Sequence, residues 1–153
     1  MEKPSPLRLF AEDAEGLQII SSMTQDGLAK MNKLIFDKKH RRFTVEMNRF
    51  NWEKGVKKKP YFRTHSLLAI DSVLNVRGRK LPATTSEEIV SLLAIVFEPA
   101  EIEPEGKVRL QFSNDGEIEL DVECIDLSMI DTDTSWPTTK KPRHKIDLKK
   151  VFR

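Results

Sequence analysis

The sequence predicts an α+β fold: a mainly antiparallel sheet of about seven strands, curled into a partly open barrel or sandwich, with one N-terminal helix packed on it. Three observations carry this. Apolar and polar letters alternate from Lys107 to Cys124, which is the period of a half-buried strand. Between Ala11 and Gln25 the spacing changes, and Leu17, Ile20 and Met23 recur every three residues, as on one face of a helix. The remaining apolar runs are short and separated by polar stretches, the rhythm of an up-and-down meander.

The 107–124 stretch, KVRLQFSNDGEIELDVEC, sets the frame for the rest. Val108, Leu110 and Phe112 on one arm and Ile118, Leu120, Val122 and Cys124 on the other share a phase, while Lys, Arg, Gln, Glu and Asp occupy the alternate positions. Directly opposed residues of an antiparallel pair lie on the same face, so the apolar sets must oppose one another. A two-residue turn at Asp115-Gly116 fails this test, because it sets Phe112 against Glu119. A three-residue loop, Asn114 to Gly116, pairs Phe112 with Ile118, Leu110 with Leu120 and Val108 with Val122. It also sets Lys107 against Glu123 and Arg109 against Asp121, with Gly116 in the left-handed loop position.

In chain order, Leu7 to Phe10 is a short strand. The helix follows, with Asp13 as N-cap, Glu15 in the first turn and Gly27 as its stop. Leu28 to Phe36 is a strand, joined through the polar loop 37–41 to a strand from Arg42 to Trp52. On the latter, Phe43, Val45 and Met47 share one face, and Phe50 and Trp52 then fall on the polar phase. Either a bulge near Asn48-Arg49 resets the register, the commoner event, or two aromatics stand on the outer face. Tyr61 to Val76 is a long bent strand with Phe62, Leu68, Ile70, Leu74 and Val76 on one side. Arg77 to Glu88 is a loop. Ile89 to Phe97 is apolar on both phases, as a strand covered by the sheet interior and the helix should be. Pro99 to Gly106 is an acidic loop, and Ile125 to Asp131 adds a helical turn. Residues 1–131 thus form a single domain, and 132–153 an extended basic C-terminal tail with Trp136 pinned on the body.

A chain of 153 residues suits one domain. It has no apolar run near the ~18 residues of a membrane span, no apolar leader core at its start, and one cysteine, Cys124, which excludes an internal disulfide. A cytoplasmic location is expected. Net charge is +2 but unevenly placed: from Thr138 onward seven basic residues stand against Asp147, a surplus of six, which leaves −4 for residues 1–137. Net charge alone therefore does not favour nucleic acid.

The segments LRLFAEDAEGL (7–17), RRFTVEMNRFNWE (41–53), SLLAIVFEP (91–99) and IELDVECIDL (118–127), followed by Trp136-Pro137, resemble a bacterial family known as domain of unknown function 2948. The resemblance covers nearly the whole body; the loops 54–60 and 77–88 and the tail lie outside it. It implies a bacterial cytoplasmic protein and transfers no activity, ligand or catalytic residue. Strand number and meander order are also similar to pleckstrin-homology-like barrels, although the helix here precedes the strands rather than following them.

No residue is nominated as catalytic, cofactor-binding or metal-ligating. Cys124 shares the dry phase and reads as packing. His40, His65 and His144 are far apart and lack ligand spacing. No Gly-rich phosphate loop, nucleophile elbow or HExxH is present. Loop charge is the more telling signal. In a meander, alternate loops emerge at one end, so loops 37–41 and 77–88 and the turn 114–116 should meet. That end would gather Lys38, Lys39, His40, Arg41, Arg42, Arg77, Arg79 and Lys80. At the other end, Lys54, Lys57, Lys58 and Lys59 would meet Glu98, Glu101, Glu103 and Glu105 and neutralise one another. The leading expectation is a non-enzymatic binding module whose basic end takes an anionic partner, protein or phosphate-bearing; the plain counter-reading is ordinary solubilising charge. A second expectation is RNA or single-stranded DNA binding through 41–63, where Arg and Lys interleave with Phe43, Phe50, Trp52, Tyr61 and Phe62. An enzyme of unknown class comes third.

Overall fold

Local signals place the first elements. The structure, a computed structural model, describes residues 3–54 and 59–142. After strand β1 (Arg8–Ala11), helix α1 runs over Ala14–Thr24. Asp13 caps it, its Oδ1 accepting the Gly16 N–H at 2.7 Å, and Glu15 lies in the first turn. Leu17, Ile20 and Thr24 are buried, and Thr24 Oγ1 donates to the Ile20 carbonyl at 2.8 Å. The helix does not stop on Gly27. Asp26 makes the reversal in the left-handed region, at φ 66°, and Gly27 already opens the next strand. Glycine is needed at 27 for space, since a Cβ there would stand 2.5 Å from Met47 Sδ.

Nine further strands follow: β2 (Gly27–Lys30), β3 (Leu34–Asp37), β4 (Arg42–Phe50), β5 (Tyr61–Ile70), β6 (Val73–Arg79), β7 (Ile89–Pro99), β8 (Gly106–Phe112), β9 (Glu117–Val122) and β10 (Leu127–Thr138). The class is α+β, but the described residues form ten strands where about seven were expected. Two expected strands are each divided. A 3-10 turn at Met31–Lys33 separates β2 from β3, and a corner at Asp71-Ser72, with Ser72 at φ 61°, separates β5 from β6. The third addition is β10, which replaces the expected helical turn and takes in residues 132–138 of the expected tail. Residues 143–153 of that tail lie outside the described residues. Trp136 is paired opposite Arg63 within the sheet.

Every pairing is antiparallel. The order is β1-β10-β5-β4-β2-β7-β8-β9-β6, and among the described residues β3 pairs with β4 alone. The sheet is open, with β1 and β6 at its ends. A single core cluster joins Leu17 and Ile20 of α1 to residues such as Val45, Leu68, Ile70, Val108, Leu110, Leu120 and Met129. Full burial of side chains of this size is worth about 1.5–3 kcal/mol each. The helix packs on β7 and β1, but β7 is covered only in part: Val90, Leu92 and Ile95 are buried, while Ile89 and Val96 are exposed despite the double-phase apolar pattern. Where the β7–β8 register shifts between Leu92 and Ala94, the Ile95 N–H donates instead to Ser21 Oγ of the helix at 2.9 Å.

The hairpin has the expected faces and a different register. Val108, Leu110, Phe112, Ile118, Leu120 and Val122 are all buried. However, Leu110 pairs with Ile118 and Val108 with Leu120, while Lys107 faces Asp121 and Arg109 faces Glu119. The whole ladder is displaced by two residues, a shift that preserves faces. The turn comprises Ser113, Asn114 and Asp115, and the left-handed positions are Asn114 and Asp115, at φ 60° and 62°, not Gly116. Asn and Asp tolerate this region. Gly116 serves close approach: a Cβ would meet Leu81 Cδ2 at 2.5 Å. Cys124 lies beyond the end of β9 and is half-buried rather than enclosed.

β4 corrects a second expectation. Its pairing with β5 runs from Phe43 opposite Ile70 to Phe50 opposite Arg63 without interruption, so no bulge resets the strand. Arg49 instead occupies the inward phase after Phe43, Val45 and Met47, and is fully buried. Phe50 stays on the outer phase yet is also fully buried, because Trp52 and Tyr61 pack on it with ring centroids at 4.6 and 5.8 Å.

Candidate functional site

The expected basic end is not one site. Lys38, Lys39 and Arg41 lie in the β3–β4 turn and Arg42 starts β4. Arg77 and Arg79 belong to β6 itself rather than to a loop, and Lys80 follows with φ 54°. The Val73 N–H donates to the Arg41 carbonyl at 2.9 Å, so the β3–β4 turn abuts the beginning of β6. Arg79 is six residues further along that strand, about 20 Å away. Arg41 and Arg79 therefore sit at opposite ends of β6. The loop after β6 does meet the β8–β9 turn, through Leu81 and Gly116, but loop 37–41 is not with them. The corner at 71–72 is the reason: each unforeseen reversal moves every later loop to the other end.

The four arginines are matched by carboxylates. Arg41 pairs with Glu123 at 2.8 Å, Arg42 with Asp71 at 2.7 Å, Arg79 with Glu117 at 3.2 Å, and Arg77 with both Glu119 and Asp121. Hydrogen bonds from Arg77 hold Glu119 and Asp121 below the usual carboxylate range. Among the described residues, Lys38, Lys39 and Lys80 form no ion pair, and His40 is bonded to Asp37 at 2.8 Å. Of the other expected group, Lys57 and Lys58 lie outside the described residues. Lys54 and Lys59 form no ion pair with Glu98, Glu101, Glu103 or Glu105 among the described residues; Glu98 pairs with Arg109 at 2.9 Å.

The expected stacking platform is also spent internally. Phe43, Phe50 and Phe62 are buried, and Trp52 Nε1 donates to the Gln25 carbonyl at 2.8 Å. Bases stack on exposed rings, which these three phenylalanines are not.

Two features emerge that alternation did not reveal. The first is a buried ionic network around Arg49. Its Nε and Nη2 donate to Oδ1 and Oδ2 of Asp131 at 2.8 and 2.7 Å, and Nη1 and Nη2 donate to Oε1 and Oε2 of Glu53 at 2.9 and 2.7 Å. Asp131 also accepts from Ser66 Oγ and from the Leu7 N–H, and Glu53 from Asn51 Nδ2, whose Oδ1 accepts from Thr64. Burial alone opposes both carboxylate charges, but the Arg49 bonds outweigh it and hold Asp131 and Glu53 below their ordinary values. Burial likewise disfavours the guanidinium charge, and Asp131 and Glu53 reverse the balance, raising its pKa. Every carboxylate oxygen of Asp131 and Glu53 has a partner, and the network holds β4, β5, β10 and the N-terminal segment together. Its sequence signal was the arginine on the inward phase.

The second feature is a cleft of about 700 Å³ between β3 and β6. Leu34 and Phe36 of β3 and Phe43 of β4 line one wall; Val76 and Gly78 of β6 and Ile118 of β9 line the other. Residues 80–84 close one side, and Arg79 and Lys80, both well exposed, stand at its margin. Asn32 also lines it, and Asn32 Oδ1 is buried with no hydrogen-bond partner among the described residues. An unmet buried acceptor costs about 1–3 kcal/mol, so such atoms are uncommon unless something supplies the donor. The volume is in the range of small-molecule and peptide sites. Among the described residues no group of three or more His, Cys, Asp and Glu side chains is placed to hold a metal, and no helix is long and apolar enough to cross a membrane.

Comparison with known proteins adds a family and no neighbour of known role. No curated protein and no solved structure matches the chain. One family model matches residues 7–144, spanning the loops 54–60 and 77–88 as well as the strands and including the Arg49 network and the cleft. The chain therefore belongs to the family described as protein of unknown function, DUF2948.

Proposed function

We propose that this protein is a binding module, rather than a catalyst, and that its ligand site is the cleft between β3 and β6. The ligand is apolar along its body and carries an anionic group. One observation carries the reading: a single cavity of about 700 Å³ has apolar walls and, at its margin, Lys80, which forms no ion pair among the described residues, and Arg79, which pairs with Glu117 at 3.2 Å. Arg79 and Lys80, two of the residues expected at a basic end, stand beside this cavity. The single cysteine and the absence of long apolar runs support a cytoplasmic setting.

The probe is 1-anilinonaphthalene-8-sulfonate, an apolar ring system with one anionic group whose fluorescence rises out of water. One saturable site is expected. Gly78→Trp should abolish it by filling the cleft, since a Cβ at 78 meets nothing closer than Leu81 Cδ1 at 3.8 Å and the strand tolerates it. Arg79→Ser with Lys80→Ser should weaken it about three- to tenfold, the scale of two exposed charge contacts, and should remove its salt dependence. Unaltered dye binding by Gly78→Trp would refute the assignment.

A further inference from the structure

We infer that the occupant of the cleft is an extended, acidic peptide segment that adds to the free edge of β3. This rests on the cleft being the ligand site. β3 pairs with β4 from Leu34 opposite Val45 to Asp37 opposite Arg42, and nothing pairs with its other side among the described residues. In an antiparallel edge strand, alternate N–H and C=O groups point away from the neighbour and offer a template for another chain.

Edges are ordinarily guarded by charge. The two ends of the sheet follow this rule, with Arg8 in β1 and Arg77 and Arg79 in β6. β3 reads Leu-Ile-Phe before its single charge, Asp37, which is already bonded to His40. Ile35, in its middle, is 53% exposed. An unguarded apolar edge beside a ready-made cavity is the arrangement used for strand addition, where the backbone ladder supplies affinity and pockets select alternate side chains. Phe36, Phe43 and Val76 would receive such side chains. Lys80, at the cleft margin and without an ion pair among the described residues, favours an acidic residue, with Arg79 beside it paired to Glu117. The four residues of β3 are about 13 Å long, which sets the register at three to five peptide residues.

The test uses the full chain and three fluorescein-labelled heptapeptides of alternating valine and threonine with aspartate at both ends. One is unmodified, one is N-methylated at alternate residues on the edge-facing phase, and one has asparagine for aspartate. Anisotropy should give saturable binding of the first, at least tenfold weaker binding of the second, and weaker binding of the third. Hydrogen exchange should slow at amides of residues 35–37 when the first is bound, and Ile35→Lys should reduce its affinity about tenfold. Equal affinity for the N-methylated peptide, or protection confined to other strands, would overturn strand addition. So would a concentration-dependent dimer that Ile35→Lys abolishes, because the occupant would then be a second copy of the chain. Dye binding that persists while no peptide binds would reject the peptide and keep the cleft; loss of both would reject the cleft itself.

Discussion

Exchanging Arg49 for methionine keeps an unbranched apolar stem and deletes a charge that has no exposure. Asp131, equally covered, loses its bonds at 2.8 and 2.7 Å, and Glu53 loses those at 2.9 and 2.7 Å. Removing one partner of a buried pair typically costs about 3–5 kcal/mol, because the other charge is left uncompensated. Ser66 and the Leu7 N–H still bond Asp131, which places Arg49→Met at about 3–4 kcal/mol. With a urea slope of about 2 kcal/mol/M, the unfolding midpoint should fall by about 1.5–2 M. Neutralising the orphan in the same background, as Arg49→Met with Asp131→Asn, should return about 1–2 kcal/mol. The pH dependence follows from the sign of the shifts. Both carboxyls lie below their ordinary values of 3.8 and 4.5 in the folded chain, so the unfolded chain binds protons more readily. Their contribution is complete above about pH 4.5 and is lost as pH falls through the folded values. The gap between wild type and Arg49→Met should therefore narrow when urea titrations followed by circular dichroism are moved from pH 7 to pH 3.5. A midpoint within 0.3 M of wild type, on the order of what a neutral surface change gives, would refute the account of the network. A double variant less stable than the single one would refute it as well.

Three other outcomes can be checked by the same titrations. Asp13→Ala removes the cap on α1 and should destabilise by about 1 kcal/mol, with a small loss of helical signal. Gly106→Ala should cost about 1–3 kcal/mol, because the new Cβ would press on the Phe97 ring and stand 2.6 Å from the Glu98 carbonyl oxygen; Gly78→Ala, with open space, should be neutral or slightly stabilising. Arg77→Ser should lower the midpoint at low ionic strength and much less at 1 M salt, since its bonds to Glu119 and Asp121 lie at the surface and are screened.

Burial along β8 and β9, the face of β4 that carries Phe43, Val45 and Met47, and the cap of α1 with Leu17 and Ile20 of its buried stripe were all legible in the letters; the stripe ends on Thr24 rather than Met23. Each depends on a chain segment's own period and on groups within four residues of one another. The register of the hairpin was not, because a displacement by two residues leaves every apolar side chain on the same face; only the geometry of the Ser113–Asp115 turn chooses between the two ladders. The burial of Arg49 was not legible either. An arginine on an inward phase breaks the pattern wherever it stands, and its partner Asp131 is 82 residues away on a strand that reads like a tail.

What the sequence determined by itself, then, is which way side chains point along α1, β8, β9 and the first half of β4, since that follows from local sterics and solvent; Leu74 of β6, expected on the apolar face, is 48% exposed because the corner at 71–72 resets its phase. The tertiary structure alone decided where the chain turns corners, which loops meet, and that β3 has no strand on its second edge, beside a cavity, among the described residues. These depend on the number of reversals between distant segments and on what packs beside each strand. A corner such as Asp71-Ser72 costs the chain two residues and changes no alternation, yet it sends Arg41 and Arg79 to opposite ends of β6.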